Sequence, residues 1–457
     1  MSPDDVAAST VHPMLAEAFQ ALDAARVGWC VLRGERTLAD PPGDVDLLAD
    51  RHGLQRLDEV LADHSFLRLQ RWGAGGHRQY LGYHEPTDRW LEIDIEYDIE
   101  FGPTSNFLVN WIRPALRIDA ARSVLARRRR SDGVWVPDSD DAFWLLLLHC
   151  VIDKGTVADR HMERLQELAC TATAEGPLGA AVSAHCPPGW DATRMIGSVR
   201  AGRWSEIVTA GSAITRRATS ARPLRARASA VGRGLYRLGT TALRAGEGRG
   251  FSVALLGPDG AGKSTLAAGL VSSLGLPARL VYMGLWQGEG ESDEPVPLAR
   301  ALLAAAARPL KSWRRATITL YHLSRGRIVV HDRHPFDALI PPEPPHLRLK
   351  RAFFGFLAHS VPSPSLALVL DLPSDVTRYR RPDEDPDRLE LARRQYLHLG
   401  TQLPRAQMLP ADRPVDEVRT DALGRIWQAM LARRHPASVR GSRSIASDGV
   451  RPTPAQR

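Results

Sequence analysis

A lysine and a serine close a glycine-spaced turn at Gly257-Pro258-Asp259-Gly260-Ala261-Gly262-Lys263-Ser264, with Thr265 next. The turn follows an apolar run, Val253 to Leu256, and leads into helical spacing. It therefore fits the pattern G-x-x-x-x-G-K-[ST] in the strand-to-helix setting that pattern requires. The chemistry this spacing permits is the gripping of a phosphate chain. Glycines without Cβ let successive backbone N–H groups point inward, and the following helix adds the positive end of its dipole. Lys263 is placed to reach the β- and γ-phosphates of a nucleoside triphosphate, and the Ser264 hydroxyl to ligate Mg²⁺. Four lysines (Lys154, Lys263, Lys311, Lys350) stand among 60 Lys and Arg residues, and one of them falls at this position. A compact ammonium fits inside such a loop where a planar guanidinium fits poorly.

Two further constellations carry chemistry. In the C-terminal half, the apolar run Ile328-Val329-Val330-His331 ends in Asp332-Arg333-His334. A strand that delivers an acid and a base at its carboxyl end puts them where ligands bind in open α/β sheets. Arg378, Arg380 and Arg381 follow, ahead of Asp387-Arg388-Leu389-Glu390. In the N-terminal half, Gly43-Asp44-Val45-Asp46-Leu47-Leu48 reads as a strand with Asp44 and Asp46 on one face. Trp90-Leu91-Glu92-Ile93-Asp94-Ile95-Glu96 alternates, with the acids on the side away from Leu91, Ile93 and Ile95. A carboxylate pair on one strand and a third, Asp94, on another is an arrangement that holds divalent metal for nucleotidyl transfer.

These residues carry two resemblances. The loop Gly257 to Thr265, Asp332-Arg333-His334 and the arginines from Arg378 to Arg381 resemble the thymidylate kinase family of nucleoside-monophosphate kinases. That likeness implies a doubly wound parallel sheet with helices on both faces, ATP and Mg²⁺ as cofactors, and transfer of the γ-phosphate to a small acceptor such as a nucleotide or sugar phosphate. It also implies roles for residues. The loop with Asp259, Lys263 and Ser264 would bind ATP and metal, Asp332 and Arg333 would serve the acceptor, and Arg380 with Arg381 would close as a lid. The chain departs from that family after Asp332-Arg333, where Pro335 to Pro345 is proline-rich in place of the thymine-recognising helix, and at Asp383-Glu384-Asp385, three acids within the lid. Gly34 with Asp44, Asp46 and Asp94 resembles the polymerase-beta-like nucleotidyltransferases, whose D-x-D pair and third acid bind metal; Glu35 stands where that family has serine. An alternative function follows: nucleotidyl transfer to a small-molecule, protein or RNA hydroxyl, with the C-terminal part as an ATP-responsive regulatory module.

The elements that must position these groups set the domain plan. At 457 residues the chain is long enough for two or three cores. The pattern predicts an α/β unit over 13–125, a helical extension over 126–200, an Arg-rich linker helix over 201–248, an α/β P-loop unit over 249–433 and a disordered tail over 434–457. Within the last unit the expected final strand is Val415 to Val418, with a helix over Ala422 to Arg433. With 44% hydrophobic and 25% charged residues the class is globular. The formal charge of +8 is spread along the chain rather than gathered in a patch, so a nucleic-acid partner is not expected. The four cysteines show no C-x-x-C spacing and the longest apolar run, Ala142 to Ile152, is too short to span a bilayer. A cytoplasmic setting is expected, with the oligomeric state open and a homodimer among the options.

Overall fold

The computed structural model describes residues 10–69, 77–102, 116–220, 250–285, 298–341, 347–380 and 385–434. The chain is mixed α/β and divides into two compact units. Among the described residues no helix is long and apolar enough to cross a membrane.

The first unit opens with the helix Pro13–Ala24, whose Leu15, Ala18, Phe19 and Leu22 turn one apolar stripe inward. Strands β1 (Trp29–Val31), β2 (Val45–Ala49), β3 (Phe66–Leu69), β4 (His77–His84) and β5 (Arg89–Glu96) form a sheet in the order β1-β2-β5-β4-β3. Only the β2–β5 pair is parallel. Its register sets Asp46 directly beside Asp94, so the two acids share a face because the strands pair in that register and no other. Trp29, Leu47, Ile93 and Ile95 fill the opposite side of the sheet with no exposed area.

Beyond this sheet, β6 (Ile99–Phe101) pairs with β7 (Leu116–Ile118), and β8 (Arg129–Ser131) pairs with β9 (Val134–Val136). Asp132 and Gly133 both take positive φ (48° and 84°), the turn that matches the twist of a tight hairpin. The arginine run is then accounted for locally: Arg128 and Arg130 lie over Trp135, each 4.7 Å from the ring centre. Helices Ser139–Leu148, Asp159–Ala169, Pro177–His185, Ala192–Arg200 and Trp204–Ser220 complete the unit around Phe143, Trp144 and Leu147. Of the expected linker 201–248, the helix Trp204–Ser220 buries Ile207, Ala210 and Ile214 in this unit, and 221–249 lies outside the described residues, as does the expected tail from 435.

The second unit is built on five parallel strands: β10 (Phe251–Leu256), β11 (Ala278–Tyr282), β12 (Ile328–Asp332), β13 (Leu366–Asp371) and β14 (Ala406–Pro410). Their order is β11-β12-β10-β13-β14, with β10 central. Every residue of β10 and β12 is buried. That is why both are mainly apolar, with Ser252, His331 and Asp332 as the buried exceptions: a parallel sheet covered by helices on both faces leaves no polar side. Each leucine taken fully out of water stabilises the unit by roughly 1.5–3 kcal/mol.

The final strand differs from the expectation. Val415 to Val418 is the first turn of the helix Val415–Arg434, and the fifth strand is Ala406–Pro410. Asp416 and Glu417, between the two valines, suit the positive end of a helix dipole better than a strand. On the other side, a strand at the sheet edge tolerates Pro410 because no neighbour needs its missing N–H.

Candidate functional site

The loop after β10 is bent by its glycines. Gly260 and Gly262 both hold φ at 86°, a left-handed conformation that any side chain would strain. Gly262 is the cap of the helix Lys263–Ser273, so the bend and the helix start are one event. Lys263 is 5% exposed, and its ammonium donates to the carbonyls of Gly257 at 2.8 Å and Pro258 at 2.7 Å. Burial, with Arg333 nearby, lowers its pKa against the opposing pull of Asp259 and Asp337. Ser264 and Thr265 are exposed at the helix start, while Ala261 is buried beneath the loop.

β12 delivers the second group. Its last residue, Asp332, pairs in register with Leu255 of β10 and Tyr282 of β11, at the carboxyl ends of all three strands. Asp332 is buried and its Oδ1 has no hydrogen-bond partner in the structure. The next residue, Arg333, has φ of 66°, strained for a non-glycine. The turn carries its guanidinium back to the loop, where Nη2 donates to Asp259 Oδ1 at 2.6 Å. Asp259 also lies 3.5 Å from the Lys263 ammonium. The structure thus brings Asp259, Lys263 and Arg333 together, in the turns that follow the adjacent strands β10 and β12.

Sequence reasoning gave no role to Asp337. Asp337, on the short turn Pro335–Leu339, is buried among Lys263, Arg333 and Tyr396, and neither carboxylate oxygen has a partner at hydrogen-bond geometry. Burial pushes its pKa up to about 6 against the pull of Lys263 and Arg333. Tyr396, in the helix Pro386–Gln402, does pack in the core, and its hydroxyl also faces this carboxylate. A charged residue inside the apolar run Phe336 to Ile340 was the available signal. Arg380 ends the short helix Ser374–Arg380 and Arg381 lies outside the described residues, so the lid expected of them is carried no further by the structure.

A hard divalent cation takes oxygen donors. At the loop the residues fit one: an exposed Ser264 hydroxyl and a buried Asp332 oxygen that lacks any other partner.

In the first unit, Asp44, Asp46 and Asp94 each bring one carboxylate oxygen within 4.8 Å of the others. This is also an all-oxygen donor set of the kind such a cation takes. Burial, then the neighbouring acids, raises the pKa of Asp46 while Arg33 opposes. The Arg33 guanidinium bridges Asp46 at 2.8 Å and Glu96 at 3.3 Å, so one oxygen of Asp46 is already occupied. Glu96, on the acidic side of its strand, is 8% exposed, and its pKa is pushed up to about 7 by burial despite Arg33 and His77. His77 lies 3.5 Å from Asp94; burial lowers its pKa, but the acids around it prevail and raise it to about 9. Glu35, at the position expected for a serine, is paired with Arg164 at 2.7 Å.

No protein-family model and no curated protein sequence matches the chain. Among solved structures, the thymidylate kinase from Candida albicans is similar over 40% of this chain and 93% of its own, at 17% identity and a TM-score of 0.31.

Proposed function

We propose that the second unit is a P-loop phosphotransferase that moves the γ-phosphate of ATP, bound with Mg²⁺, to a small acceptor bearing a phosphate or hydroxyl. The observation that carries this reading is the buried Lys263 ammonium, held by two carbonyls of its own glycine-bent loop at the carboxyl edge of a parallel sheet. A phosphate chain offers that ammonium stronger, charged acceptors than the two carbonyls do. In this reading the loop amides, Lys263 and Ser264 hold the triphosphate and its metal. The metal, when bound, neutralises charge on the transferring phosphoryl group and the leaving diphosphate. Asp332 stands beside the metal, Arg333 faces the acceptor, and Arg380 with Arg381 closes the site against water. The test is purified full-length protein with Mg²⁺-ATP and a panel of nucleosides, nucleoside monophosphates, sugars and sugar phosphates, read by mass spectrometry beside Lys263→Ala. Acceptor-dependent ADP formation lost in the variant supports the reading, whereas the same turnover in both proteins overturns it.

One observation favours a second reading: the three gathered carboxylates of the first unit. In it that unit transfers a nucleotidyl group to a small-molecule, protein or RNA hydroxyl, and the P-loop unit responds to ATP. Transfer of label from an α-³²P nucleotide, abolished in Asp44→Ala/Asp46→Ala, tests it; label transfer unchanged in that variant removes it.

A further inference from the structure

Buried carboxylates in folded proteins are almost always hydrogen-bonded or paired, because an ion stripped of water without replacement partners is costly. Asp337 departs from this rule within the candidate site itself. It is 5% exposed, both its oxygens lack a hydrogen-bond partner in the structure, and the groups facing it are the Lys263 ammonium, the Arg333 guanidinium, the Tyr396 hydroxyl and the backbone of His334. Two of these are cations with prior commitments. Lys263 belongs to the loop carbonyls and, in the reading above, to the triphosphate. Arg333 is held by Asp259 at 2.6 Å.

Resting on the reading of this unit as a phosphotransferase, we infer that Asp337 is its catalytic base and that the acceptor is an alcohol, a free hydroxyl of a nucleoside or sugar. The hydroxyl oxygen attacks the γ-phosphorus of ATP, a new O–P bond forms, and the bond from that phosphorus to the β–γ bridging oxygen breaks. ADP leaves with the bridging electron pair, and the hydroxyl proton passes to Asp337, which later releases it to solvent. The products are a phosphate monoester, ADP and one proton. A phosphate monoester as acceptor has no proton that must be removed, and so leaves a base at this position without a task. A hydroxyl can bring a donor at hydrogen-bond geometry to oxygens that have none at that geometry here. A carboxyl pKa pushed up to about 6 also suits a base that is mostly ionised at neutral pH yet strong enough to take the proton.

The experiment measures phosphorylation of two acceptor sets, alcohols (nucleosides, monosaccharides) and phosphates (nucleoside monophosphates, sugar 1-phosphates), by wild type, Asp337→Asn and Asp337→Ser. Products are fragmented to separate monoesters from diphosphates, and binding of a fluorescent ATP analogue is followed in each protein. The inference expects monoester products from an alcohol, a kcat reduced by roughly 100-fold or more in both variants, as for loss of a general base, affinity for the analogue no weaker than that of the wild type, and loss of the acid limb near pH 6. Diphosphate products overturn the inference and leave the phosphotransferase standing. Turnover within a few-fold of wild type in both variants, or analogue binding without turnover of any alcohol, also overturns it. No binding of the analogue to the wild type overturns the phosphotransferase reading itself.

Discussion

Replacing Arg33 with methionine tests the electrostatics of the first unit. The guanidinium bridges Asp46 and Glu96 with side chains 19%, 16% and 10% exposed, so all three are largely out of water. Removing one partner of a fully buried ion pair costs about 3–5 kcal/mol, because the other charge is left uncompensated. Here two acids are left, but Glu96 already titrates near 7 and escapes by taking a proton when Arg33 no longer holds its pKa down. Asp46, with Asp44 and Asp94 close by, bears most of the loss. The residual exposure and the Glu96 proton bring the expected destabilisation to about 2–3 kcal/mol near pH 8. It shrinks as pH falls below about 7, since Glu96 then takes up a proton and no longer stands as an uncompensated charge. Urea unfolding followed by tryptophan fluorescence, with fully buried Trp29 and Trp144 reporting on this unit, gives the number at each pH. A loss below about 1 kcal/mol at pH 8, or one that does not vary with pH, contradicts the reasoning.

Further outcomes follow from the same geometry. His77 has its pKa raised to about 9 in the folded state, so the stability it contributes is fully present below its ordinary value of 6.5 and disappears as pH rises through about 9. His77→Gln flattens this alkaline decline in urea unfolding between pH 7 and 9.5; an unchanged slope refutes the assignment. Gly262→Val forces a β-branched residue into a φ of 86°, at a cost of at least roughly 1–2 kcal/mol. The helix start shifts and Mg²⁺-ATP affinity drops, whereas the urea transition of the first unit stays put; wild-type affinity in this variant refutes the loop geometry.

The parts of the molecule that could be read from the chain are those whose cause is local. The loop from Gly257 to Ser264 announces itself because positive φ and close amide approach require glycine at set positions, and the buried strands of the second unit because a covered parallel sheet is filled mainly by apolar residues. Asp44, Asp46 and Asp94 could be grouped because strand periodicity fixes their faces, although the register that makes Asp46 and Asp94 neighbours is a property of the folded sheet. What escaped depends on distant residues. Alternation sets Glu96 on the acidic side of its strand, but its burial beside Arg33 is a property of the folded sheet. Asp337 sits in a proline-bounded stretch whose chemistry is set by Tyr396 and Lys263, far away in sequence. The fifth strand was misplaced because two valines outweighed the acids between them, a weak local preference that the helix Val415–Arg434 overrides by burying Val418, Ala422 and Ile426 together.

The central claim is that the glycine-bent loop and the buried Lys263 ammonium grip a nucleoside triphosphate. Calorimetric titration of Mg²⁺-ATP into the full-length protein, beside Lys263→Ala, addresses it most directly. Each charge-assisted hydrogen bond from the ammonium to phosphate is worth roughly 1.5–3 kcal/mol, so losing it weakens affinity roughly 10- to 100-fold or more. The account predicts saturable one-site binding by the wild type and that loss in the variant. Heats of dilution alone from the wild type, or equal affinity in the two proteins, would contradict it.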